Sequence, residues 1–165
     1  MTPEAIKKLL KLEPHPEEGG FFYETYRSTE STRWAGADYD GPRCAATAIY
    51  YLLTPDTFSA LHRLKSDEIF HHYLGDPVEM LHLHPDGTTA AVTLGSDLAQ
   101  GMRPQVVVPK GVWQGARLTD GGRFALLGCT VAPGFEFADY DHGDRTALTM
   151  AYPDAADAIA RLTAE

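Results

Sequence analysis

The chain has 165 residues, 44% of them hydrophobic and 22% charged, with a net charge of −9 at neutral pH. That length fits a single domain over residues 1–165 and is enough to bury a real core. The acidic balance excludes a general nucleic-acid binder, which needs clustered Lys and Arg against phosphate, and it disfavours an anionic membrane surface.

Met1 to Leu12 reads as a charged amphipathic helix, with Thr2 as cap, Pro3 at the first helical position, and Ile6, Leu9, Leu10 and Leu12 as its apolar face. It has neither the apolar centre nor the cleavage site of a signal peptide. No apolar run reaches the roughly 20 residues of a membrane helix, so a cytoplasmic protein without a membrane partner is expected. Pro14, Pro16 and the pair Gly19-Gly20 end the helix and turn the chain into an aromatic-rich strand, Phe21 to Arg27. Ser28 to Pro42 is a polar loop, long enough to act as a lid or rim.

From there short strand-like runs follow one another: Ala45 to Leu53, Thr57 to His62, Glu68 to Leu74, Val78 to His84, Thr88 to Leu94, Gln105 to Val108, Val112 to Leu118 and Phe124 to Val131. Turn signals such as Gly75-Asp76-Pro77 and Pro85-Asp86-Gly87 separate them. Strands at this spacing, without intervening helices, predict an all-β antiparallel sandwich or barrel. A last helix is expected over Asp154 to Leu162, after Pro153. Cys44 and Cys129 both lie in apolar runs and are read as buried free thiols in a reducing compartment.

Five of the seven histidines fall between His62 and His84. Strand alternation puts Glu68, Phe70 and His72 on one face and His71 and Tyr73 on the other, with His62 across a short turn from Glu68. His15, His82 and His84 are read as solvated or locally hydrogen-bonded groups.

At these residues the chain resembles the cupin superfamily. His62 matches the first ligand of the first cupin motif, Glu68 its carboxylate and Gly75 its closing glycine, while Leu64 stands where a second His belongs. Pro109-Lys110-Gly111-Val112-Trp113-Gln114 matches the second motif, with Gln114 in place of its His. The resemblance is closer to the small RmlC-like cupins grouped as cupin-5. It runs through Glu18-Gly19-Gly20-Phe21-Phe22-Tyr23-Glu24-Thr25-Tyr26-Arg27-Ser28, Ile49-Tyr50-Tyr51-Leu52-Leu53, Ser66-Asp67-Glu68, the Val108 to Gln114 block and Val131-Ala132-Pro133-Gly134-Phe135-Glu136-Phe137. It implies a double-stranded β-helix, a jelly-roll cupin barrel with short N- and C-terminal helices, commonly dimeric. It does not bring an established activity.

A catalytic metal wants three converging protein ligands. His62 and Glu68 offer two, Gln114 only a neutral oxygen and Leu64 nothing, so no cofactor is required and only a weakly held divalent metal on His62, Glu68 and Gln114 is entertained. His72 lies roughly 13 Å from Glu68 along an ideal strand, too far to complete the set. The groups suit proton transfer instead. His62 is expected as base, Glu68 as its orienting partner and Tyr51 as the returning acid, in the manner of cupin sugar-nucleotide epimerases. Gln114, His72, Lys65, Arg27, Tyr23 and Trp113 are expected to bind the ligand, with Arg27 and Lys65 suited to a phosphate or carboxylate. The function expected is binding of a small polar, sugar-like or phosphorylated molecule with isomerase or epimerase chemistry. A non-catalytic binder and a metal-dependent enzyme with a degenerate ligand set are the alternatives.

Overall fold

The computed structural model describes residues 1–34 and 38–164. Along the chain lie α1 (Pro3–Leu10), β1 (Glu13–Pro14), β2 (Phe21–Arg27), β3 (Ser31–Thr32), β4 (Arg43–Cys44), β5 (Thr47–Leu53), β6 (Phe58–Leu64) and β7 (Asp67–Gly75). They are followed by β8 (Val78–Leu83), β9 (Thr89–Leu94), β10 (Gln105–Val108), β11 (Trp113–Leu118), β12 (Ala125–Ala132), β13 (Tyr140–His142), α2 (Arg145–Ala151) and α3 (Ala156–Arg161). The strands form a six-stranded sheet in the order β1-β2-β5-β12-β7-β10, a five-stranded sheet in the order β13-β6-β11-β8-β9, and the small pair β3-β4. The strand pairings within these sheets are antiparallel, some closed by short connections such as β8–β9 and most made between strands far apart in the chain, such as β5–β12 and β6–β11. Among the described residues neither large sheet closes on itself, so the architecture is one of stacked antiparallel sheets with short helices.

The two large sheets share one core. Tyr51, Leu53, Phe70, Val106, Leu127 and Cys129 of the six-stranded sheet meet Val78, Met80, Leu94, Ala116 and Leu118 of the other. The outer faces are covered by helices, each for a sequence reason. Thr2 caps α1 by accepting from the Ala5 N–H at 3.2 Å, and the helix lays Ile6 on Leu52, Phe124 and Leu126. At the other end Leu148, Tyr152, Ala155, Ile159 and Leu162 pack on Leu61, Leu81 and Leu83. That cover explains why β6 and β8 are largely buried on both faces and lack clean alternation.

All nine strands expected from the sequence are present, with ends moved by no more than two residues. β1, β3, β4 and β13 were not expected, because two or three residues carry no periodicity. The expected final helix is split into a 3-10 turn at Pro153–Ala155 and α3, and α2 precedes it. Asp144 caps α2 by accepting from the Ala147 N–H at 2.8 Å. The loop expected over Ser28 to Pro42 includes residues 35–37, which lie outside the described residues; its remainder contains β3, and Tyr39 bonds to Ser66 at 2.8 Å. Cys44 and Cys129 are buried free thiols. Among the described residues no helix is long and apolar enough to cross a membrane.

Candidate functional site

At one end of the shared interior is a cavity of about 90 Å³, lined by ionisable groups that include His15 and Glu18, Glu24 and Arg27, His62, Glu68 and Glu136. Phe22, Phe135 and Phe137 form aromatic walls. His62 is centred on it. Its Nδ1 lies 2.7 Å from the Ala60 carbonyl, which can only accept, so Nδ1 carries a hydrogen and Nε2 is the atom turned to the cavity. Nε2 stands 3.9 Å from Glu18 Oε2 and 4.0 Å from Glu68 Oε2. Tyr140 stacks on the imidazole with 5.0 Å between ring centroids.

A local irregularity aims His62 inward. In the pairing of β11 with β6, Gln114 faces His62 but Ala116 faces Ser59, so β6 carries an extra residue. The bulge lets Ser59 and His62, three apart, share the inner face, which strict alternation forbids. Ser59 uses that position to donate to Glu18 Oε1 at 2.5 Å. Glu18 is held further by its N–H donating to His15 Nδ1 at 2.9 Å and by its carbonyl accepting from the Ala60 N–H at 2.8 Å. The next two residues must be glycine-like. Gly19 and Gly20 both have positive φ, and a Cβ on Gly19 would lie 2.4 Å from the Phe58 carbonyl oxygen.

Electrostatics follow from this crowding. Burial presses the His62 pKa down, but the charge of Glu18 and the neighbouring Glu68 outweigh it and lift the group to about 9. Burial pushes Glu68 up, with Glu18 adding repulsion, against the pull of His62 and of Gln114. His15 is held below its usual value by burial, opposed by Glu18. The buried Cys129 thiol is raised by burial and then by Glu68 and Glu18, so it stays protonated.

The structure thus brings His62, Glu68 and Arg27 of the expected set to the cavity. Gln114 adjoins it, donating from Nε2 to Glu68 Oε2 at 2.6 Å. The others lie elsewhere. Tyr51 is fully buried in the core and donates its hydroxyl to the Gly19 carbonyl at 2.8 Å, so it braces the glycine turn. Tyr23 is exposed on the outer face of β2. Trp113 points outward with the opposite parity to Gln114 and packs under Arg63. His72 is four residues along β7 from Glu68, where its Nε2 reaches the Asp76 carbonyl at 3.2 Å. Lys65 does not line the cavity. Arg27 does, but it donates Nε and Nη2 to Glu24, Nη2 to the Phe135 carbonyl and Nη1 to Glu136. Its hydrogens are engaged, leaving little for an anion. Glu18 entered the sequence reading only through the family match, His15 only as a solvated or locally hydrogen-bonded group, and Tyr140 not at all. The only signal was the acid directly before Gly19-Gly20.

The cupin ligand pattern is incomplete in these residues. Leu64 has no donor atom, Gln114 turns its amino group rather than its oxygen to Glu68, and among the described residues no three His, Cys, Asp or Glu side chains are grouped to hold an ion.

The family model described as Cupin superfamily (DUF985) matches residues 4–143. An uncharacterized Saccharomyces cerevisiae protein, YML079W, is 30% identical over 151 residues, covering 84% of this chain and 75% of that protein. The crystal structure of protein SO0799 from Shewanella oneidensis superposes with a TM-score of 0.88 at 34% identity, over 99% of this chain and 98% of that one. A hypothetical protein from Leishmania major gives 0.90 at 30% identity over the whole of both chains.

Proposed function

The chain belongs to the Cupin_5 family of the cupin superfamily, and from that premise we propose that it is an isomerase or epimerase of a small, neutral, polyhydroxylated carbonyl compound. We read the two facing sheets as the double-stranded β-helix of that superfamily, with the cavity as its binding site. The observation that carries the reading is one imidazole Nε2 within 4.0 Å of two buried carboxylates inside that cavity.

The pKa directions assign the roles. A histidine at about 9 is neutral in only about one molecule in a hundred at pH 7, so His62 is the proton donor. Glu68, raised by burial, is a stronger base than an ordinary carboxylate and takes the proton. This exchanges the roles expected from sequence, where His62 was the base. Glu68 removes the proton from the carbon beside the carbonyl, and the C–H electron pair becomes the C=C of an enol. The carbonyl oxygen takes the Nε2 proton of His62. Returning the first proton to the other carbon, or to the other face, gives the isomer, and the hydroxyl gives its proton back to His62. Glu18 stabilises the imidazolium before the proton leaves and after it returns, and Gln114 holds Glu68 in place.

Charge and size support a neutral, small ligand. Glu18, Glu24, Glu68 and Glu136 line the cavity, and Arg27 is already paired with two of them. A phosphate would meet repulsion there. About 90 Å³ is well below the roughly 150 Å³ that holds benzene in an engineered cavity, so the site suits a few carbon atoms or the end of a longer molecule.

The test is proton exchange in D₂O, followed by ¹H NMR on dihydroxyacetone, glyceraldehyde and erythrulose. Protein-dependent loss of the signal beside the carbonyl is expected with at least one of them, reduced at least 100-fold in a folded Glu68→Gln variant. No exchange above buffer, binding without exchange, or exchange untouched by Glu68→Gln overturns the reading, the second outcome in favour of a non-catalytic binder.

A further inference from the structure

Three polar residues cross the inner face of the five-stranded sheet in one row. His62 on β6 pairs with Gln114 on β11, and Gln114 pairs with His82 on β8. Their inward neighbours are apolar: Val112, Ala116 and Leu118 around Gln114, Val78 and Met80 before His82. All three are more than nine-tenths buried. A buried polar side chain in such surroundings is costly unless it is bonded.

Gln114 has no choice of orientation at its Glu68 end. A carboxylate only accepts, so the amide presents Nε2 there, at 2.6 Å, and Oε1 points elsewhere. Two buried side-chain atoms lack a hydrogen-bond partner among the described residues: Gln114 Oε1 and His82 Nε2. They belong to residues directly opposite each other on neighbouring strands. One is an acceptor without a donor. The other becomes a donor in one tautomer of a neutral imidazole, and burial, with His84 adding to it, holds His82 neutral by lowering its pKa to about 4.

We propose that His82 is a positioning residue for Glu68: its Nε2–H donates through one bridging water to Gln114 Oε1, and this holds the Gln114 amide in place against the carboxylate. The role of Glu68 as base rests on the proton-transfer reading above; the positioning itself needs no turnover. His82 thereby acts across two strands on a group it does not touch. The water has a polar partner on either side, as a buried water requires. The arrangement also explains a histidine at an inward position of β8 whose neighbours are Val and Met.

The test uses ¹⁵N-labelled protein near pH 7. In the unaltered chain, ¹⁵N shifts should show His82 protonated at Nε2, and the Gln114 side-chain amide should give one slowly exchanging pair of proton signals. His82→Leu should speed exchange of those amide protons at least tenfold, and His82→Gln, which restores a donor of similar reach, should bring it back. An Nδ1-protonated His82, or Gln114 signals unchanged in folded His82→Leu, overturns the proposal. If His82→Leu does not fold, the tautomer of the unaltered protein and the His82→Gln spectrum decide it. None of these readouts involves the D₂O assay, so the two readings fail separately.

Discussion

The interior between the sheets has two ends built from the same strands, one apolar and one charged. At the apolar end β7, β8 and β12 contribute Phe70, Met80 and Leu127, which fill the space with no polar atom to satisfy. At the charged end the same strand β7 contributes Glu68, which meets His62 and Glu18 around a cavity. The apolar end is filled by side chains alone, although β7 carries an extra residue opposite Leu126 and Leu127. The charged end exists because two devices break local rules: the bulge in β6 and the positive-φ glycine pair before β2. Stability therefore resides in one end and chemistry in the other, and perturbations should separate them.

Leu127→Ala should have the largest effect. The side chain is fully buried, and its loss should cost about 2–5 kcal/mol in urea denaturation while leaving the cavity chemistry measurable in the surviving folded fraction. A cost below about 1 kcal/mol would mean that the apolar end does not hold the sheets together.

His62 should tie stability to pH. It titrates near 6.5 unfolded and about 9 folded, so the fold binds the proton more tightly. Its contribution is complete below about 6.5 and is lost as pH rises through 9, by about 3 kcal/mol at most. Glu68, also raised, acts in the same direction from its own lower window. The stability difference between the unaltered chain and His62→Gln should shrink from pH 6 to pH 10. A constant difference would remove the charge cluster from the account.

Gly19→Ala should cost about 1–3 kcal/mol from its backbone conformation, and more if the Phe58 carbonyl cannot move. It should also displace Glu18, and so lower the His62 pKa as followed by NMR titration. An unchanged His62 titration would show that the glycine turn does not aim the acid. Glu136→Gln, at the half-exposed mouth, should have the smallest effect, under about 1 kcal/mol, because its ion pair with Arg27 is open to solvent.

The legible part of the site was His62 and Glu68, which the motif spacing pairs and the cavity joins. Tyr51 was expected as the returning acid, yet alternation says nothing about where along the strand a hydroxyl ends, and this one ends on the Gly19 carbonyl. Trp113 sits next to Gln114 in sequence and therefore on the opposite face of β11. Glu18 was illegible as a site residue because it is 44 positions from His62 and reaches it only through the glycine turn.

Sequence alone determined the short strands, their turns, the terminal helices and the antiparallel class, because hydrophobic period, Gly and Pro act over a few residues. It also determined the gaps in the cupin ligand pattern at Leu64 and Gln114, which are matters of residue identity. Tertiary structure alone decided that Glu18 joins His62, that Arg27 is consumed by Glu24 and Glu136, and that Gln114 and His82 share a row. Those facts depend on sheet register, and register is set by packing between segments far apart in the chain.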